Sequence, residues 1–129
     1  MKILIDTHIA LWCMYEPELL SDSAVGILSD SGNEFFVSLA SAWEIEIKHS
    51  IGKLEVPSEA FIADCKEMGF GILPINEKHI IALSGLEKPG CGHKDPFDRL
   101  LLAQSFSEGM KFLTEDAKLL EYSLPNIIR

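Results

Sequence analysis

The sequence has 129 residues, with 11 Lys plus Arg against 20 Asp plus Glu and a formal net charge of −9. That length suits one globular domain spanning 1–129 and is too short for two. Apolar residues at 47% and charged residues at 24% exclude a disordered chain, and no repeat period is present. The acidic balance excludes binding that relies on a broad basic face against phosphates, so a polyanionic partner would need help from cations. Charges interrupt every apolar run well before the ~20 residues of a spanning helix. The opening MKILIDTH places Asp6 where a signal peptide would be apolar. Cys13, Cys65 and Cys91 are odd in number and scattered, without the spacing of a zinc, redox or disulfide framework. The expectation is a cytoplasmic protein without a membrane segment.

Lys2 to Ile5 is an apolar run of strand length, and His8 to Tyr15 then spaces its apolar residues as a helix does. Ser21 to Leu28 predicts a second helical piece and Glu34 to Val37 a second strand. From Ser41 the spacing of Trp43, Ile47 and Ile51 predicts a helix that stops at Gly52, and Pro57 opens another over Ser58 to Met68. Phe70 to Pro74 reads as a third strand, followed by a helix capped by Asn76 and running through Leu83. Gly85 to Lys94 is a Gly/Pro-rich loop. Beyond it come an amphipathic helix over Phe97 to Phe106, a short strand over Lys111 to Thr114, a helix over Asp116 to Tyr122 and an edge strand over Asn126 to Ile128. Such alternation predicts parallel βαβ units and a three-layer α/β/α fold with a central parallel sheet.

Open parallel sheets bind ligands outside the carboxyl ends of their strands, so acids just after strands carry most weight. Asp6 follows the first strand, Glu44 lies in the helix after the second, and Asp116 follows the Lys111 to Thr114 strand. Asp98 joins them from the start of the helix behind the Gly/Pro loop. Crowded carboxylates repel and raise one another's pKa, and a shared cation relieves this. An all-oxygen donor set suits Mg²⁺ or Mn²⁺ over Zn²⁺. The chemistry this implies is metal-assisted phosphodiester hydrolysis.

Each acid also has a purely structural reading. Asp6 and Asp116 fit helix N-caps, Ser41 to Glu44 spells a capping box, and Glu44 to Lys48 an i,i+4 ion pair. Asp95-Pro96-Phe97-Asp98 reads as N-cap, Pro at the first helical position and an acid favoured by the helix dipole. What favours function is that independent caps need not share one end of a sheet. Trp12 and Trp43 read as core anchors that also suit a dimer contact, and Cys13 as core. His8, His49, His79 and His93 show no metal spacing, which leaves them surface or supporting roles. Lys88, His93, Lys94 and Arg99 flank the loop, and with Lys48 they supply the cations nearest the proposed site. Lys48, Lys94 and Arg99 are candidate contacts to a nucleic-acid backbone. A haloacid-dehalogenase-like phosphatase requires a DxD pair after the first strand, whereas Asp6 is followed by Thr7 and His8. A non-catalytic binding module of the same fold stays open.

LIDTHIALW, SAWEIEIK followed by GKL, HKDPFDRLLLAQS and FLTEDAKL occur in this order over nearly the whole chain. They resemble the successive signatures of the PIN domain, specifically the VapC-like ribonuclease toxins of type II toxin–antitoxin pairs. The family's acidic quartet falls on Asp6, Glu44, Asp98 and Asp116, and its Ser/Thr near the last acid falls on Thr114, with Thr7 as a further supporting residue. The resemblance implies an endoribonuclease dependent on Mg²⁺ or Mn²⁺, a homodimer, an RNA substrate and a cognate antitoxin with a basic C-terminal tail. It leaves open whether Asp95 binds metal or caps its helix.

Overall fold

The structure, a computed structural model, describes residues 1–86, 95–122 and 124–129. In chain order the elements are β1 (Lys2–Ile5), α1 (Thr7–Tyr15), α2 (Asp22–Ser29), β2 (Glu34–Ser38), α3 (Leu39–Ser50), α4 (Ser58–Glu67), β3 (Gly71–Leu73), α5 (Glu77–Ala82), α6 (Pro96–Ser107), β4 (Lys111–Leu113), α7 (Ala117–Leu120) and β5 (Ile127–Ile128), with 3-10 turns at Pro17–Leu19 and Leu83–Gly85. The strands form one sheet in the order β3-β2-β1-β4-β5, and every pairing is parallel. This is the three-layer α/β/α architecture that the alternation of elements predicts.

β1 reads as an unbroken apolar run because both of its faces are covered. Ile3 and Ile5 pack with Ile9, Ile45 and Phe61 on one side of the sheet. Leu4 packs with Leu101, Leu102 and Phe112 on the other. All of these side chains are fully buried, each stabilising the fold by about 1.5–3 kcal/mol before the entropy of ordering is counted. The turns into β3 and β4 share one device. Gly69 and Gly109 take positive φ of 84° and 67°, a conformation costly for side-chain-bearing residues. Behind Gly109, Met110 N–H bonds back to Ser105 O at 2.8 Å, closing the end of α6 in the Schellman manner.

Several boundaries differ from the sequence expectation. α3 starts at Leu39 because Ser38, not Ser41, is its cap: Ala40 N–H donates to Ser38 Oγ at 2.9 Å. The expected Ser41–Glu44 capping box therefore does not form. The last helix is one turn, Ala117–Leu120, and stops short of Tyr122. Most of the Gly/Pro loop, residues 87–94, lies outside the described residues, and with it Lys88, Cys91, His93 and Lys94.

Trp43 is 57% exposed and no core anchor. The inward face of α3 is instead built from Ala40, Ser41, Ala42, Glu44 and Ile45. His79 is fully buried rather than superficial. Its Nδ1 accepts from Asn76 N–H at 3.1 Å and from Gln104 Nε2 at 3.3 Å, so Nε2 carries the proton and donates to Glu108 Oε2 at 2.6 Å. Ser38 Oγ donates to Gln104 Oε1 at 2.5 Å. This buried network ties α5 and α6 to the end of β2, and each member is satisfied by another.

Candidate active site

The sheet order places β1 beside β4, where the chain has turned to opposite sides of the sheet, and crevices at such switch points are where open α/β sheets bind ligands. Asp6 leaves the end of β1 and Thr114 the end of β4. The backbone joins them there, with Asp6 N–H donating to Leu113 O at 3.0 Å. Asp6 occupies the N-cap position of α1, yet its side chain makes no cap hydrogen bond. Its Oδ2 accepts from Thr114 Oγ1 at 2.7 Å, and Thr114 Oγ1 accepts from Asp116 N–H at 3.1 Å. One hydroxyl thus fixes the Asp6 carboxylate and the turn carrying Asp116.

Asp6 is 2% exposed and Glu44 6% exposed. Asp6 Oδ1 and Glu44 Oε1 are buried without a hydrogen-bond partner. Leaving such an acceptor unmet costs about 1–3 kcal/mol, more for a charged group, so these two atoms call for a ligand. Burial raises the Asp6 carboxyl above its ordinary value; the Thr114 hydrogen bond, the charge of His8 and the His8 backbone N–H offset part of the rise, and Asp116 adds slightly to it. Asp98 sits in the first turn of α6. Burial, then the charges of Asp6, Asp95, Asp116 and Glu44, push it up to about 8. The four acids singled out in the sequence therefore act on one another electrostatically.

The donor set passes a simple chemical test for a hard divalent cation: carboxylate oxygens, two of them orphaned and buried, with mutual repulsion that a cation relieves. Among the described residues no three His, Cys, Asp or Glu side chains stand close enough to cage an ion alone.

The supporting residues divide. Thr7 Oγ1 donates to Ser41 Oγ at 2.7 Å in a buried contact, joining the start of α1 to the turn of α3 that precedes Glu44. Ser41 was not singled out from the sequence, where it read only as a cap. Asp95 is a cap, its Oδ1 accepting from Phe97 N–H at 2.9 Å and Asp98 N–H at 3.1 Å. Asp116 caps α7 through Lys118 N–H at 2.9 Å, so for this residue a capping role and a site role coexist. Lys48 Nζ lies 2.9 Å from Glu44 Oε2, the i,i+4 ion pair that the sequence suggests. Arg99 Nη1 donates to Tyr122 Oη at 2.8 Å, which ties α6 to the segment after α7. Lys94 is outside the described residues.

Comparison with known proteins places this geometry in a family. The structure is similar to VapBC2 from Rickettsia felis bound to a promoter DNA fragment, with a TM-score of 0.70 at 18% identity, covering 99% of this chain and 96% of that one. It is similar to a toxin–antitoxin complex from Klebsiella pneumoniae, TM-score 0.64 at 16% identity over 98% and 96% of the two chains. FitAcB from Neisseria gonorrhoeae gives 0.62 at 14% over the same shares. At these identities the likeness establishes the fold. In sequence the chain is 27% identical to Ribonuclease VapC22 of Mycobacterium tuberculosis, across 95% of this chain and 93% of that protein. The PIN domain model matches residues 3–124, and the chain belongs to the PIN domain family.

Proposed function

We propose that the chain, acting as one PIN unit, is a metal-dependent endoribonuclease and the toxin of a type II toxin–antitoxin pair. The observation that carries this reading is the pair of buried, unpartnered carboxylate oxygens on Asp6 and Glu44, in electrostatic contact with Asp98 and Asp116 at the switch point of the sheet. Asp6, Glu44, Asp98 and Asp116 would hold Mg²⁺ or Mn²⁺, with Asp95 remaining a cap. When bound, such an ion supplies an activated water and neutralises charge on the phosphoryl oxygens. Thr114 holds Asp6 in one orientation through Oδ2. Lys48 neutralises one oxygen of Glu44 and leaves the other to the site.

The similarity to a ribonuclease of the VapC group supports RNA as substrate, and the toxin–antitoxin neighbours support a protein inhibitor. A net charge of −9 and a crevice of carboxylates favour a basic inhibitory tail, since an Arg can fork two carboxylates bidentately. A homodimer is supported by α3, whose Leu39, Trp43 and Ile47, continued by Ile51 just past its end, form an exposed apolar stripe at spacing four. Cytoplasmic location is part of the same reading. Among the described residues no helix is long and apolar enough to cross a membrane.

The purified chain is tested on single-stranded RNA with Mg²⁺, Mn²⁺ or EDTA. Cleavage with either ion, lost in EDTA and in Asp6→Asn, is expected. Cleavage that survives both treatments, or none under any condition, would overturn the reading.

A further inference from the structure

We propose that the cleft between α1 and the turn after β4 receives the unpaired nucleobase beside the scissile phosphate, with Trp12 as its stacking surface. This rests on the ribonuclease reading and adds a base-recognition residue to it. The cleft measures about 240 Å³ and is lined by Asp6, His8, Ile9, Trp12, Glu115 and Asp116. Two of the proposed site acids, Asp6 and Asp116, therefore belong to its lining. Its volume falls below the ~300–1,000 Å³ that encloses a drug-sized ligand, which leaves room for one flat ring system.

Trp12 suits a platform. It is partly buried and packed against the core under α1, so its ring is held while part of it faces the cleft. His8, one helical turn earlier, stands with its ring centroid 6.0 Å away at a tilt of 48°. The same two rings also line a second cleft, whose charged lining is Lys48, Lys53 and Glu16. The ring pair thus borders one cleft lined by Asp6, Glu115 and Asp116 and another that holds two lysines beside one carboxylate. A cationic peptide crossing it would meet the lysines, whereas a nucleic-acid strand can set its neutral base among the acids and its phosphates toward the lysines.

The test uses the full chain with two readouts. In a Trp43→Phe, Asp98→Asn background with Mg²⁺, Trp12 is the remaining tryptophan and hydrolysis is disabled. Titration with a single-stranded hexaribonucleotide is expected to quench its emission, and an abasic hexamer is expected not to. In the otherwise native chain, Trp12→Ala should lower kcat/KM by roughly ten- to a hundredfold on the intact oligonucleotide, and Trp12→Phe should retain most of it. On a substrate abasic next to the cleaved bond, wild type and Trp12→Ala should be equal. A purely structural role for Trp12 would penalise both substrates alike, and that result overturns the proposal. Equal quenching by the two hexamers, or quenching by an arginine-rich peptide alone, overturns it as well. If wild type cleaves no RNA while quenching still follows the base, the ribonuclease reading fails and the base site stands.

Discussion

Asp98→Asn should stabilise the metal-free protein while abolishing its activity. Each tenfold displacement of a protonation equilibrium is worth about 1.4 kcal/mol. A carboxyl raised from 3.8 to about 8 would thus carry about 6 kcal/mol if sealed from water. The Asp98 side chain is only partly buried, and solvent and salt screening reduce the figure to about 1–3 kcal/mol. The neutral amide gives up the favourable placement of an acid in the first turn of α6, worth about 0.3–1 kcal/mol. Removing a charge that burial disfavours first and repulsion second outweighs that loss, leaving a net gain of about 1–2 kcal/mol, or roughly 4–10 °C in Tm for a domain of this size. The pH dependence has a defined sign. Because the folded-state value lies above the unfolded one, the native protein retains a proton that the unfolded chain has released, so stability falls as pH rises from about 4 to about 8. Asp6, also raised, adds a slope of the same sign that the variant keeps. Thermal melts in EDTA from pH 4.5 to 8.5 check this. A variant less stable than wild type at pH 8, or superimposable profiles, would refute the reasoning.

Thr114→Val removes the hydroxyl that orients Asp6 and should cut RNA cleavage by at least tenfold, with Thr114→Ser restoring it; steady-state rates at saturating Mn²⁺ decide. Asp95→Ala should lose about 1 kcal/mol of stability and Asp95→Asn almost none, because Asn caps as well as Asp, and cleavage by Asp95→Asn should stay near wild type. Gln104→Ala strands the hydroxyl of Ser38 and opens the network to His79, at a cost of about 1–3 kcal/mol, read by urea denaturation.

The parallel sheet was legible because the part of a strand covered on both faces must be apolar, as Ile3, Leu4 and Ile5 of β1 show. The placement of Asp6 and Asp116 side by side was legible because the carboxyl ends of adjacent parallel strands face one crevice. Periodicity alone did not say which face of α3 turns inward: the large residues Trp43, Ile47 and Ile51 recur at helical spacing yet lie outside. The face toward the sheet carries mainly small residues, which let the helix approach closely and leave little apolar signal. The same smallness hid Ser41, whose contact with Thr7 spans 34 positions of sequence. Local spacing cannot report a partner that distant. The roles of His79 and Gln104 were hidden for the same reason, since three separate elements must assemble before either side chain has a partner.

The central claim is that the four acids share one cation. It is tested most directly by titrating the EDTA-stripped protein with Mn²⁺ and following the free ion by electron paramagnetic resonance. Saturable binding is predicted for wild type, with at least tenfold weaker binding in Asp6→Asn and in Asp98→Asn at unchanged circular dichroism. Equal Mn²⁺ affinity in all three proteins, or no saturable binding in wild type, would contradict the account.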